Sequence, residues 1–404
     1  MALAAYPSSR KGSLMINRAL AAFFTVVLAV ASWPQSPSDA DRAQTLIRQG
    51  ASLMDQKQPE RAEPLLRQAT TLSPTSALAF YYLGSAEMAL KKYAAAQDAM
   101  ETALRLDAAT PGLVRTQRRD LEDFLALSYS YQHQYDKARA VYQQAIAKDP
   151  QYPGFPYNLA CVCALAGDRP AALSALRTAL ANDAKSDPGP TLPDPAADED
   201  LKGLWGEPVF QATLFASQRP QPNDGPGGGM AREGARLLIA GQPAGAVDLL
   251  KSSLQTDPTM TRGWFLLGGA LEAEGKGTEA ADAYRKALAL NVGPTASLYK
   301  PSIRYAALRS GQAYVAAGEP ARAVEALKAG TQADDFYAPL HYELARAFAG
   351  IGDRAQAEAE LKRAMTLGRE PAGLDPILPD PATDPSFTRW AGDRDWQLFL
   401  HNLR

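Results

Sequence analysis

Few residues in this sequence have both the type and the spacing that catalysis or metal binding requires. Cys161 and Cys163 are two positions apart. On a helix their side chains would project about 200° apart, so a disulfide or a two-point metal clamp would require unwinding. His133, His341 and His401 are far apart, and none lies in a zinc-spaced motif. We therefore expect no metal site, no cofactor and no catalytic residue.

Two further segments have some features of ligand-binding loops. Gly275-Lys276-Gly277-Thr278 is reminiscent of a phosphate loop, but position 270 is Ala where that motif needs Gly, and no strand precedes it. We predict a turn between two helices there. The acidic, proline-rich stretch 194–200 lacks the alternating oxygen ligands and the glycine of a calcium loop. It is interpreted as a solvated lead-in to the segment that follows.

Composition excludes further classes of function. The chain has 404 residues, 46% of them apolar and 21% charged, which is enough for two or three packed units. Because 42 Lys and Arg face 44 Asp and Glu, no overall basic excess exists to neutralise phosphates, and nucleic acid is not expected as a partner.

The N-terminus has the pattern of an export signal. Arg10, Lys11 and Arg18 precede an apolar run over residues 19–33, and no acidic residue occurs before Asp39. The run is shorter than the roughly 20 residues of a spanning helix, and the small residues at 29 and 31 fit a signal peptidase. We predict a signal peptide over residues 1–31 and a periplasmic protein, with Met1 or Met15 as the start. An uncleaved inner-membrane anchor is the alternative.

Small and bulky residues recur in windows of 34 residues beginning at 43, 77, 119, 153, 227, 261, 304 and 338. The twentieth position is alanine in every window, the eighth is glycine or alanine, and the twenty-fourth is bulky. Small side chains let two antiparallel helices approach closely, and the bulky residues fill the space between neighbours. Each window therefore predicts a helical hairpin.

These residues resemble the tetratricopeptide repeat (TPR) family, whose pattern is matched well by one window in particular: Trp264, Leu267, Gly268, Ala280, Tyr284 and Ala287. The resemblance covers about residues 43–371. It implies an all-α fold, an α-solenoid of about eight hairpins, and for repeat-only chains a non-catalytic scaffold.

A longer period shows that the chain is a tandem duplication. Windows in the second half follow their counterparts by 184 or 185 residues, and Leu192-Pro193-Asp194-Pro195-Ala196 recurs as Leu378-Pro379-Asp380-Pro381-Ala382. We predict two four-repeat superhelices, each with a short C-terminal cap that covers the apolar face of its last repeat. The predicted segments are block one at 32–186, its cap at 187–217, a flexible linker at 218–229, block two at 230–371 and its cap at 372–404.

In this family the concave face is formed by defined positions of each first helix. At those positions the sequence has mainly aromatic and apolar residues, and the predicted partner contacts are Tyr81, Tyr131, Tyr157, Phe265, Tyr305, Tyr342 and Arg346. The lysine and asparagine that clamp an acidic peptide C-terminus in chaperone-binding members do not occur there. An extended protein or peptide segment with apolar or aromatic side chains fits better. Packing of the same stripe within the superhelix, or under the caps, is the alternative.

The predicted function is that of an exported, non-enzymatic scaffold or adaptor that mediates protein–protein interactions in the bacterial cell envelope. The alternative is an accessory subunit of an envelope enzyme complex that modifies peptidoglycan or polysaccharide. Caps of about 30 residues are too small for an independent catalytic fold.

Overall fold

The computed structural model describes residues 38–185, 191–218, 227–292, 297–368 and 378–403. Its contacts divide the chain into two compact units, Met1–Leu113 and Val114–Arg404, which are described separately below. The predicted signal peptide lies outside the described residues. Within these ranges no strand occurs, and no helix is long and apolar enough to cross a bilayer.

The first unit contains two helical hairpins. Ser38 begins the first helix by accepting a hydrogen bond from the backbone N–H of Asp41, whose carboxylate in turn accepts from Ser38. Ser76 caps the third helix through the backbone N–H of Ala79. The helices are α1 Asp39–Asp55, α2 Pro59–Leu72, α3 Ala77–Ala89 and α4 Tyr93–Ala109.

The second unit contains six more hairpins and two caps, each cap being a short 3₁₀ helix followed by an α-helix. The first two hairpins and their cap are α5 Arg115–Tyr131, α6 Tyr135–Lys148, α7 Gly154–Leu165, α8 Arg169–Asp183, the 3₁₀ helix Glu199–Leu204 and α9 Pro208–Ser217. The remaining elements are α10 Gly228–Ile239, α11 Pro243–Thr256, α12 Thr261–Ala273, α13 Gly277–Leu290, α14 Lys300–Ala316, α15 Pro320–Ala333, α16 Ala338–Ile351, α17 Arg354–Leu367, the 3₁₀ helix Pro385–Trp390 and α18 Arg394–Leu403. The predicted all-α architecture of eight hairpins is confirmed.

The packing inside a hairpin follows the predicted small-to-bulky pairing. A Cβ atom on Gly50 would lie 2.5 Å from the side chain of Leu66, and one on Gly311 would lie 2.6 Å from that of Leu327. Real Cβ contacts are longer, so the eighth position must stay small wherever the twenty-fourth is bulky. The alanines at the twentieth position are almost completely buried in all eight hairpins.

The turn inside each hairpin places one residue in the left-handed backbone region. Glycine occupies this position in the last five hairpins: Gly167, Gly241, Gly275, Gly318 and Gly352. In the first three it is Lys57, Lys91 and His133, with φ of 57° to 58°. Gly275 thus lies in the turn between α12 and α13, as predicted for a turn rather than a phosphate loop.

Each cap covers the last hairpin of its block, as predicted. Leu201, Leu204 and Phe210 are at most 1% exposed and pack against α7 and α8. In the second cap, Phe387 and Trp396 are at most 2% exposed and pack against α16 and α17. Aromatic and leucine side chains of the caps thus replace the next repeat of the stack.

Helix α9 of the first cap has a second role that the pattern of repeats does not predict. Ala212 and Phe215 belong to the same buried cluster as the core of block two. The buried Arg232 of α10 stacks on the Phe215 ring, with its Cζ 4.4 Å from the ring centroid, and donates to the backbone carbonyl of Phe215. The predicted linker is therefore not the only connection between the two blocks.

The predicted linker is also shorter than residues 218–229. Residues 219–226 lie outside the described part of the chain, but Gly228 begins α10, and the backbone oxygen of Gly227 accepts a 2.9 Å hydrogen bond from Ser253. A side chain at Gly227 would collide with the backbone oxygen of Ser253, 2.7 Å from the Cβ position. The glycine at 227 therefore serves close packing, and the linker ends before it.

Candidate functional site

Two of the predicted partner contacts, Tyr157 and Tyr342, attach the caps. Tyr157 is 3% exposed, and its hydroxyl donates a 2.7 Å hydrogen bond to the carboxylate of Asp198. Tyr342 makes the same contact with Asp384 at 2.8 Å. Burial, and then the neighbouring carboxylate, raise the pKa of both hydroxyls, so each remains a hydrogen-bond donor. A partner does not reach these rings while the caps are in place.

Two more predicted contacts lie in the cores. Phe265 is completely buried, with its ring centroid 5.6 Å from that of Tyr284. Tyr81 is 8% exposed and packs edge-on against Tyr82. Their burial matches the alternative in which the aromatic stripe packs within the repeats.

The other three predicted contacts are accessible. Tyr131 at the end of α5 is 55% exposed, whereas Tyr305 and Arg346 are half-buried. The structure does not bring the seven predicted residues together on one open surface. Of the accessible residues, Tyr305 and Arg346 lie along the polar row described next.

A row of charged and amide side chains runs across α12, α14 and α16 of block two, which we call the polar ladder. It consists of Glu272, Arg309, Gln312, Glu343 and Arg346. Arg309 donates to Glu272, with its Nε atom 2.6 Å from Oε1, and also to Gln312 at 3.2 Å. Gln312 donates to Glu343 at 3.2 Å, and Arg346 pairs with Glu343 at 3.0 Å.

Two tyrosines below the ladder hold it in place, the buried Tyr284 and the half-buried Tyr305. The hydroxyls of Tyr284 and Tyr305 both donate to Glu272, at 2.8 Å and 3.2 Å. Burial, together with the negative charge of Glu272, raises the pKa of both tyrosines. Aromatic rings therefore form the lower layer in block two, and charged groups face outward.

Most of the ladder was not among the predicted site residues, although the duplication contains a signal for it. The positions of block one that correspond to Glu272, Arg309 and Gln312 are Met88, Phe124 and Leu127. The surfaces of the two copies therefore differ: block one has apolar residues at these positions, and block two has charged or amide residues. Comparing the halves for charge, rather than for shared pattern, would have found it.

A cleft of about 520 Å³ lies beside the ladder, where the first cap meets α14. Trp205, Tyr305, Leu308 and Tyr337 provide its apolar and aromatic surface, and all four are half-buried. Its charged lining residues are Arg169, Glu199, Lys202, Glu207, Lys300 and Arg304. The cleft is an open, mixed aromatic and charged surface of a kind that suits a polypeptide segment.

Three possible metal donors meet under the first cap. Cys161 Sγ and carboxylate oxygens of Asp198 and Asp200 all lie within 4.8 Å of one another. Burial raises the pKa of the Cys161 thiol, and Asp198 adds to that effect. A protonated thiol is a poor ligand, and three donors fall short of a closed zinc site.

The equivalent position under the second cap has different residues. The residues that correspond to Cys161 and Asp200 are Arg346 and Ser386, and Arg346 Nε lies 3.6 Å from Asp384 and 2.9 Å from the Ser386 hydroxyl. Arg346 thus neutralises the cap carboxylate in block two. It also links the cap to the ladder.

Family models for tetratricopeptide repeats match residues 47–112, 131–188 and 232–291. Together with the eight hairpins and their small-to-bulky packing, these matches identify tetratricopeptide repeats in this chain. No curated protein matches the chain.

Solved structures of repeat proteins are similar at low sequence identity. The C-terminal part of a TPR repeat-containing protein from Cytophaga hutchinsonii is 16% identical, with a TM-score of 0.39, over 72% of this chain and 95% of that chain. MamA is 20% identical, with a TM-score of 0.29, over 44% and 96%. The TPR2AB domain in the pHSP90 complex of yeast Sti1 is 16% identical, with a TM-score of 0.28, over 80% and 98%.

Proposed function

We propose that this TPR protein is an exported scaffold that holds a protein or peptide partner in the bacterial cell envelope. The observation that carries the proposal is the cleft beside the polar ladder, which exposes half-buried aromatic rings and charged groups together on block two. Such mixed surfaces are typical of sites that bind polypeptides. The export pattern in residues 1–31 supports the envelope location.

The accessible members of the predicted contact set are proposed as direct contacts. These are Tyr131, Tyr305 and Arg346. Tyr81, Tyr157, Phe265 and Tyr342 contribute by holding the repeats and caps in place. A partner with apolar or aromatic side chains still fits the cleft, because Trp205, Leu308 and Tyr337 line it.

A non-catalytic role is part of the same proposal. TPR proteins act generally as scaffolds, and both segments following the repeat blocks contain caps whose large apolar residues are buried on the last repeats. In the alternative, the chain is an accessory subunit of an envelope enzyme complex. This alternative requires that the bound partner itself modifies peptidoglycan or polysaccharide.

Site-specific photo-cross-linking tests the scaffold proposal. A photoreactive phenylalanine at Leu308 in the cleft is expected to give a discrete covalent adduct with a partner in intact cells. The matched control carries it at Lys251, an exposed residue of α11 outside the cleft. Equal labelling at both positions, or adducts with no defined protein, would contradict the proposal.

Fractionation tests the location independently. The mature chain is expected in the periplasmic fraction with an N-terminus close to Ser32. An intact N-terminus in the membrane fraction would instead establish the anchored alternative.

A further inference from the structure

The charges in the cleft are not balanced. Glu207 is paired with Arg169 at 3.1 Å, and Glu199 lies 3.6 Å from Lys202. Arg304 forms an ion pair with the buried Asp334. Lys300 is exposed and makes no ion pair with any residue that the structure describes.

The polar groups of Trp205 and Tyr305 in the cleft already have hydrogen-bond partners. Trp205 Nε1 donates a 3.0 Å hydrogen bond to the backbone oxygen of Pro195, and the Tyr305 hydroxyl donates to Glu272. The guanidinium of Arg304 lies 4.3 Å from the centroid of the Tyr337 ring. The cleft therefore offers ring surface to a ligand, next to the ammonium group of Lys300, which has no ion-pair partner in the described part of the chain.

The rim around Lys300 is fixed by close contacts. A Cβ atom on Gly206 would lie 2.6 Å from the backbone oxygen of Pro301, so the cap loop and the first turn of α14 touch. The Ser302 hydroxyl also lies 3.5 Å from the backbone oxygen of Trp205. These contacts hold the ring of Trp205 and the start of α14 at a set separation, which favours binding because little ordering is required.

We propose that this cleft binds a partner segment that places a side-chain carboxylate on Lys300 and an adjacent apolar side chain against Trp205 and Tyr305. The inference rests on the proposed scaffold function and specifies the chemistry of the segment that the scaffold takes. Charge complementarity favours a carboxylate, since Glu199 and Glu207 already have partners, whereas Lys300 has no ion pair with a described residue. The exposed ring surface of Trp205 and Tyr305 favours an apolar side chain next to that carboxylate.

Binding of two labelled peptides to the full mature chain tests this inference. The probes are short fluorescein-labelled peptides in a glycine–serine background, one with a central Leu-Glu-Phe and one with Leu-Gln-Phe. Fluorescence polarisation is expected to show roughly threefold to fivefold tighter binding of the glutamate peptide, as for one ion pair with an exposed lysine. The preference is expected to shrink at high salt, because the Debye length shortens.

Variants of Lys300 identify the group responsible. Lys300→Gln is expected to remove the preference for glutamate, and Lys300→Glu to reverse it. Lys251→Gln, the same change at an exposed lysine outside the cleft, is expected to leave the preference unchanged. Equal affinity of the wild-type chain for both peptides, or a preference that survives Lys300→Gln, would overturn the inference.

The cross-linking at Leu308 separates the two proposals. If Leu308 captures a defined partner while the peptides show no dependence on glutamate or on Lys300, the scaffold function stands and this inference fails. If Leu308 captures nothing and neither peptide binds, both fail.

Discussion

The hydroxyl of Tyr157 donates to the carboxylate of Asp198, 41 positions further along the chain, and so attaches the first cap to its last repeat. The second copy repeats the bond between Tyr342 and Asp384. A first-helix position that was predicted to contact a partner therefore makes a contact within the molecule. The caps occupy the end of the face where a partner was expected.

Tyr157→Phe is expected to lower the free energy of unfolding by about 1.5 kcal/mol, because the half-buried carboxylate of Asp198 loses its phenol donor. Tyr342→Phe is expected to cost less, since Arg346 remains 3.6 Å from Asp384. Urea denaturation of both variants measures the difference. Tyr299→Phe, at a tyrosine that is 48% exposed, is the control; equal costs for Tyr157 and Tyr342 would contradict the role given to Arg346.

His341 is expected to make stability depend on pH. It is buried on α16, and its two ring nitrogens face Glu360 on α17 at 2.6 Å and the backbone oxygen of Asp335 at 3.0 Å. Burial alone would lower its pKa, but the hydrogen bonds to Glu360 and Asp335 raise the pKa above the ordinary value. Close to His341, the side chain of Arg363 forms an ion pair with the side chain of Asp335.

Because the folded pKa is raised, the contribution of His341 is fully present below its unfolded pKa of about 6.5. It is lost as the pH rises through the folded value. The melting-temperature difference between wild type and His341→Gln should therefore be largest near pH 5.5 and shrink toward alkaline pH. The exposed His401 provides the control substitution, His401→Gln; a difference that grows with pH would refute the assignment.

Gly269→Ala is expected to destabilise the contact between the first cap and block two. The added methyl group would collide with the Pro208 ring at the start of α9, and overpacking of this kind costs about 1–3 kcal/mol. Gly229→Ala, where nothing lies within 4 Å of the Cβ position, should be nearly neutral. Thermal unfolding of both variants checks the prediction.

The left-handed turn residues predict a stabilising change. Lys91→Gly is expected to raise the free energy of unfolding by about 0.5 kcal/mol. The reason is that relief of the left-handed backbone strain exceeds the entropy that glycine adds to the unfolded chain. Gly275→Ala at the equivalent turn is expected to lower the free energy of unfolding by about 1 kcal/mol. Backbone strain alone is the cause, because no atom lies within 4 Å of the new methyl group. If both changes are neutral by chemical denaturation, backbone strain at these turns is unimportant.

Fragments test how the two blocks are joined. Residues 230–404 lack α9, so they leave the surface that Phe215 and Ala212 cover open to solvent. A fragment beginning at residue 207 should melt at a higher temperature, by several degrees for the apolar area regained. Equal melting temperatures would restore the simpler account of two blocks that meet only through the linker. Limited proteolysis is expected to cut first within residues 219–226, which remain of the predicted linker at 218–229.

Much of the fold was predictable because its rules are local. Alanine and glycine at fixed spacing located all eight hairpins, and the repeated tail motif located both caps. Whether an aromatic residue at a first-helix position faces a partner or the core was not predictable, since that depends on what lies above it. Phe265 is covered by neighbouring repeats, and Tyr157 is covered by a carboxylate 41 positions away.

The polar ladder was missed for a related reason. Glu272 and Arg309 meet although they are 37 positions apart, on first helices of successive repeats. Periodicity assigns such residues to a solvent-exposed face without stating which charges meet. The distances that define a site of this kind arise only from stacking.

The two-sided packing of α9 also bears on how long such an array can grow. Pro208, Ala212 and Phe215 form the side of α9 on which a following repeat is built. In α18 the corresponding residues are Arg394, Leu398 and His401, all exposed. A repeat stacked on α18 in the way that block two is stacked on α9 would meet a cation and an imidazole where α9 has a proline and a phenylalanine, so the two caps differ in the surface that they offer to a following repeat.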